Sequence, residues 1–160
     1  MPVLYRHFAS KRELHVALLR EGGADLIAHV LAAPKQGTPE EFLRSTCDAF
    51  FGWVQAHPQQ WRLIFSDTVA DHEVASAQVA LFARARDAIA SLFALTPRWE
   101  LSAEVDADRG REMLAEMTVS ALNGLAGWWW ENQDVAREDV VATAMDLLWG
   151  GISSLGRAVR

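Results

Sequence analysis

Residues 4–14 read Leu4-Tyr5-Arg6-His7-Phe8-Ala9-Ser10-Lys11-Arg12-Glu13-Leu14, and this stretch decides the fold. Its pattern predicts the end of a short helix over 2–8, a tight turn, and the capped start of a long helix. The Ser10 hydroxyl is placed to accept from the backbone N–H three residues on, and Glu13 to reach back to the N–H of Ser10. That is the S-x-x-E capping box, standing directly before an apolar-periodic run. Tyr5, His7 and Lys11 gather at the junction. A phenol, an imidazole and an ammonium beside a helix N-terminus suit phosphate oxygens. Leu4 and Phe8 are core residues in this reading.

The stretch resembles the junction between recognition helix and first core helix in TetR-family (tetracycline-repressor-like) transcriptional regulators. The family pattern is roughly L-Y-x-H/Y-F-x-S/N-K-x-x-L, and every fixed position is matched. Beyond it, the resemblance rests on helix number and order and on a terminal helix pair. It implies an all-α fold: 1–10 as the remnant of a DNA-binding helix-turn-helix, and 11–160 as an effector-binding and dimerisation domain of about six helices. It also implies a homodimer, operator DNA as partner, a small apolar effector, and Tyr5, Arg6, His7 and Lys11 as DNA contacts. The alternative for Tyr5 and His7 is that they pad the small core of the reading head.

In that family two helices precede the recognition helix, whereas this sequence opens at Met1 inside or just before it. The expectation is either that the native polypeptide extends upstream, or that this form is a dimeric small-molecule-binding module that reads no DNA. The implied mechanism is relief of repression. An apolar effector enters the body, the first long helix swings, and the paired recognition helices lose their spacing of ~34 Å.

Composition is consistent with one domain. The 160 residues are 51% hydrophobic and 22% charged, enough to bury a core and unlike a disordered chain. The single cysteine, Cys47, excludes a disulfide framework and fits a reducing cytoplasm. The longest uncharged run, Met117 to Trp130, is shorter than the ~20 residues of a membrane span, and no secretory signal pattern opens the chain. Net charge is −6, unevenly spread. Arg6, Lys11, Arg12 and Arg20 against Glu13 give the first twenty residues +3, which leaves −9 on the remainder. A basic tip on an acidic body suits a DNA reader, and ordinary helix-surface charge is the bland alternative.

Periodicity predicts helices throughout, over 11–32, from Thr38-Pro39 to His57, over 58–67, 73–94, 107–131 and 136–156. Thr38-Pro39-Glu40-Glu41 supplies a second capping box with proline at the first helical position. Asn132-Gln133-Asp134 is a turn with Asp134 as a candidate cap, and the last two helices form an antiparallel pair. That pair contains Gly124, Gly127, Gly150 and Gly151. Helical glycine costs about 0.5–1 kcal/mol relative to alanine, so close helix approach is the expected reason. With the resemblance, Gly124, Gly127, Trp129, Leu148, Gly151, Ile152 and Leu155 are the candidate dimer interface; tight packing within the chain is the alternative.

The resemblance also places an effector cavity among the aromatic helices. Candidate lining residues are Phe50, Trp53, Trp61, Phe65, Phe82 and Trp128, with Gln78, Thr118 and Asn123 as polar handles; a flat, largely apolar molecule would suit them. Ordinary core packing is the alternative for each aromatic. Trp128-Trp129-Trp130 spans ~200° of a helix, so at least one ring must leave the core. The Asp67, Asp71, His72 and Glu73 cluster is read as helix caps rather than metal ligands, and Cys47 as an inert buried thiol. The sequence contains no G-x-S-x-G, P-loop, G-x-G-x-x-G or H-E-x-x-H pattern, so no catalytic residue, metal or cofactor is assigned.

Overall fold

A computed structural model of the chain describes residues 8, 10–34, 36–65, 71–94 and 104–155, without the side chains of 152, 154 and 155. The described residues form six helices: α1 (Lys11–Leu31), α2 (Pro39–Ala56), α3 (Pro58–Phe65), α4 (His72–Phe93), α5 (Ala107–Glu131) and α6 (Arg137–Leu155). The described residues contain no strand, and none of their helices is long and apolar enough to cross a membrane.

Local chemistry explains the helix starts. Ser10 Oγ accepts from Glu13 N at 3.1 Å and starts α1. At α2 the capping box is complete: Glu41 N donates to Thr38 Oγ1 at 3.2 Å, and Thr38 N donates to Glu41 Oε2 at 2.7 Å. The Thr38 N–H and hydroxyl, both donating to Glu41 Oε2, favour the carboxylate and lower the Glu41 pKa. Gly37, at φ +99°, makes the turn before it, in a region that side chains disfavour. Asp71 caps α4 and Asp106 caps α5, each through its carboxylate. The sixth helix departs from expectation. It begins at Arg137, and the Ala136 carbonyl, not Asp134, accepts its first bonds, from Asp139 and Val140.

The core lies where α2 meets α1, α3, α5 and α6. Trp53, Phe51, Leu19, Ile64, Val140 and Cys47 are its largest fully buried side chains. The fourth helix packs along α1 and α5, while α6 lies mainly on α2. The terminal pair α5–α6 is present, but each member has a more extensive neighbour than the other.

The buried stripe of α5 runs Ala115, Thr118, Leu122, Ala126 and Trp129, in steps of three and four residues. This fixes the phase of the tryptophan run and corrects two expectations. Trp129 is only 4% exposed and donates its indole N–H to the Val135 carbonyl at 2.9 Å, so it belongs to the subunit core and not to an outer face. Trp128, proposed for a cavity wall, is 49% exposed. One ring does leave the core, and it is Trp128.

Candidate ligand-binding site

The first and fourth helices run side by side in parallel. At their N-terminal ends Arg12 pairs with Glu73 at 2.9 Å and approaches Asp71 at 3.9 Å. Further along, Gly23 meets Leu81. Beyond that contact the two helices, with α2, α3 and α5, line a cavity of about 60 Å³. The exposed clasp at Arg12 is worth ~0.2–1 kcal/mol; the Gly23–Leu81 contact determines how closely the helices approach. A Cβ at Gly23 would overlap both methyl carbons of Leu81 and lie 2.9 Å from its Cγ. Any larger residue at 23 would force the Leu81 side chain to shift.

The cavity walls are apolar. Leu26, Ile27 and Val30 of α1 face Phe82, Ala85 and Ile89 of α4, with Phe50, Phe65 and Leu122 closing the ends. Two polar side chains reach the wall. Thr46 spends its hydroxyl proton on the Phe42 carbonyl at 2.9 Å. Asn123 does not: its Oδ1 is buried and has no hydrogen-bond partner among the described residues. An unpaired acceptor against an apolar wall costs about 1–3 kcal/mol, which a donor on a ligand would recover. A second space of about 30 Å³, lined by Cys47 and Thr118, shares Thr46, Ile89 and Leu122 with the first. Burial pushes the Cys47 thiol up to about 12, so it remains protonated and unreactive there.

Of the nine residues proposed as ligand-lining, the structure brings four together on the cavity: Phe50, Phe65, Phe82 and Asn123. The other five stand elsewhere. Trp53 is buried, donates to Asp25 Oδ2 at 2.7 Å and stacks on His57. Gln78 donates to the Ile64 carbonyl at 2.9 Å. Thr118 lines the smaller space, and its hydroxyl donates to the Leu114 carbonyl at 2.8 Å. Trp61 stands one layer behind the wall, stacked on Phe65 at 5.6 Å and Trp130 at 6.4 Å. Trp128 faces outward. The cavity residues of α1, together with Leu81, Ala85 and Ile89, were not among those proposed. Their only sequence signal is an apolar stripe, which core and cavity share.

The N-terminal candidates divide at the edge of the described region. Tyr5, Arg6 and His7 lie outside it, as does Leu4. Lys11 stands exposed in the first turn of α1, with its ammonium free to meet solvent, and Phe8 is half-buried. Asp67 also lies outside; Asp71 and Glu73 are engaged by the α4 cap and by Arg12.

Among the dimer candidates, Gly124 and Gly151 are exposed, with nothing within 4 Å of an added Cβ. Gly127 instead faces Trp61, 3.8 Å from such a Cβ. Leu148 is half-buried against the core. The side chains of Ile152 and Leu155 are outside the described residues. Large apolar side chains nevertheless stand bare nearby: Met113, Met117 and Trp128 on α5, and Leu147, 69% exposed, on α6.

No protein-family model matches the sequence. The chain is similar to the HTH-type transcriptional activator FasR of Mycolicibacterium smegmatis, at 29% identity over 154 residues, which covers 95% of this chain and 68% of that protein. That likeness supports a transcription regulator. A solved structure of a protein with unknown function from Rhodococcus sp. RHA1 superimposes with a TM-score of 0.62 at 18% identity, covering 91% of this chain and 75% of that one. It shows that the helical arrangement is a shared fold, and nothing about function.

Proposed function

We propose that this chain is the effector-binding and dimerisation body of a TetR-like transcription regulator, with 1–10 the end of its DNA-reading helix-turn-helix. The observation that carries the reading is the course of α1. It starts at the Ser10 cap of the N-terminal motif and continues without a break into the cavity wall at Leu26, Ile27 and Val30. One rigid rod of 21 residues therefore links the motif to the cavity. At ~1.5 Å per residue it is about 30 Å long. A tilt caused by a ligand at the cavity end is delivered to the motif end.

The likeness to a named transcriptional activator over 95% of the chain supports the same reading. Repression is what the family resemblance implies and activation is what that relative's name states; a reporter fused to a bound promoter distinguishes them.

The effector in this proposal is small and apolar, with a donor for Asn123. The cavity as it stands has room for about two waters at ~30 Å³ each, well below the ~300–1,000 Å³ of a drug-sized pocket. Binding must therefore part α1 from α4, which is the motion the mechanism needs. Homodimerisation is supported by the bare face of α5. Met113, Met117, Gly124 and Trp128 fall within ~60° of one another around the helix, an apolar stripe that a lone subunit leaves wet.

The test is DNA binding by fluorescence anisotropy, using fragments selected from genomic DNA at several salt concentrations. Saturable binding whose affinity falls steeply with salt is the expected result. Absence of binding at every salt, with a dimer that still takes up apolar probes, overturns the DNA-reading half and leaves a ligand-binding module.

A further inference from the structure

We infer that Leu81 is a gate between the apolar cavity and the groove beside it, and that the groove's arginines, Arg20 and Arg84, select a ligand with an acidic group on an apolar body. The inference rests on the effector-binding reading and names the chemical class of its ligand.

Leu81 is the side chain that lines both spaces from α4. On one side lies the apolar cavity. On the other, α1 and α4 leave a groove of about 830 Å³, floored by Val16, Ala77 and Ala80. Leu81, seated on the bare backbone of Gly23, is the one residue that the two linings share. Displacing the Leu81 side chain, as α1 parts from α4, joins the two volumes. The combined space exceeds that of the cavity alone.

The groove is also where the charge lies. Its outer end is the clasp, where Arg12 is neutralised by Glu73 and where Glu13 also stands. Arg20 and Arg84, by contrast, have no ion-pair partner among the described residues. Arg20 is one helical turn before Gly23 and Arg84 one turn after Leu81. Helical side chains lean toward their N-terminus, which brings Arg84 back over the gate. Two unpaired guanidiniums over an apolar floor, in a chain of net charge −6, offer paired charge-assisted hydrogen bonds to a carboxylate, sulfonate or phosphate. The acid remains in the groove while the apolar body passes Leu81 into the cavity. A molecule so placed also wedges α1 from α4 beside the Arg12–Glu73 clasp, at the end nearest the motif.

The test uses two fluorescent probes with one aromatic skeleton: 1-anilinonaphthalene-8-sulfonate, an acid, and N-phenyl-1-naphthylamine, which is neutral. Wild type is expected to bind the sulfonate about tenfold tighter than the neutral probe. The double variant Arg20→Gln/Arg84→Gln is expected to bring the two affinities within about twofold by weakening only the sulfonate. Leu81→Ala is expected to speed association of both probes in stopped-flow, with the sulfonate preference kept. Thermal melts by circular dichroism establish that each variant is folded, and Leu81→Val replaces Leu81→Ala if the latter is not.

Equal affinities in wild type, or a preference that survives loss of both arginines, overturns the acid selectivity. Unchanged association rates in the Leu81 variants overturn the gate. Both failures leave the cavity reading intact provided that Ala88→Leu, which fills the cavity wall, abolishes neutral-probe uptake. Neutral-probe binding insensitive to Ala88→Leu, or absent from wild type and Leu81→Ala alike, overturns the cavity reading and this inference with it.

Discussion

Replacing Gly23 with alanine sets two opposed effects on one atom, and the structure determines which wins. Alanine in a helix interior is worth about 0.8–1.0 kcal/mol over glycine. At Gly23, however, the added Cβ overlaps both methyl carbons of buried Leu81 and lies 2.9 Å from its Cγ. Overpacking of that kind costs about 1–3 kcal/mol. The overlap outweighs the propensity, so Gly23→Ala is expected to destabilise by about 1 kcal/mol net.

Removing the obstacle reverses the sign. Leu81→Ala alone costs about 2–4 kcal/mol, but in that background Gly23→Ala meets no side chain and stabilises by up to about 1 kcal/mol. The double-mutant cycle therefore carries a coupling of about 2 kcal/mol. Urea unfolding of the four proteins measures it, at one fixed protein concentration because association shifts apparent stability. In thermal melts each kcal/mol appears as about 2–4 °C. Equal stabilisation by Gly23→Ala in both backgrounds would mean that Leu81 is not held against Gly23. The gate reading would then be lost.

Other expectations are independent of that contact. With its pKa raised by burial to about 12, Cys47 should resist Ellman's reagent at pH 8 in the native protein and react at once in denaturant. The folded state holds this proton more tightly than the unfolded chain. Stability from this group is thus complete below about pH 8.5 and falls as pH rises from there toward 12; a native thiol that reacts freely contradicts the burial. Replacing Trp128 or Leu147 with arginine should convert a dimer to a monomer in sedimentation velocity without lowering helix content; a dimer unaffected by both moves the interface elsewhere. Lys11→Ala should weaken DNA binding at all sequences alike and flatten the log-log salt slope by about one unit. An unchanged slope removes Lys11 from the phosphate contacts.

The helices were legible because their starts are written in single residues. Ser10, Thr38 with Glu41, and the proline after Thr38 mark positions where a side chain must satisfy orphan backbone N–H groups. Phase was harder. That one of Trp128, Trp129 and Trp130 must leave the core follows from 100° per residue. Which one leaves is set by the small residues before them, Ala115 and Ala126, whose burial places Trp129 inward. Reading the large residues alone gave the opposite assignment for Trp128 and Trp129. Asp134 failed as a cap because Ala136 takes that position and the helix starts later.

The site was half legible for a different reason. Phe50, Phe65, Phe82 and Asn123 converge on the cavity, but Trp53 and Trp61 have the same periodic signature and go to the core. What distinguishes wall from core is the space left by Gly23, Ala85 and Ala88, and small residues carry no signal of their own in a sequence. The Arg20–Arg84 groove was not legible at all. It exists only because α1 and α4, forty residues apart along the chain at their nearest ends, run in parallel and in one register.

The claim on which the rest depends is that this chain regulates transcription. Its most direct measurement is genome-wide occupancy of the protein, epitope-tagged at its own chromosomal locus in the host that encodes it. Discrete sites sharing a two-fold-symmetric motif, with transcripts from the adjoining genes altered on deletion, are the predicted result. Enrichment no greater than an untagged control, with an unaltered transcript profile, contradicts it.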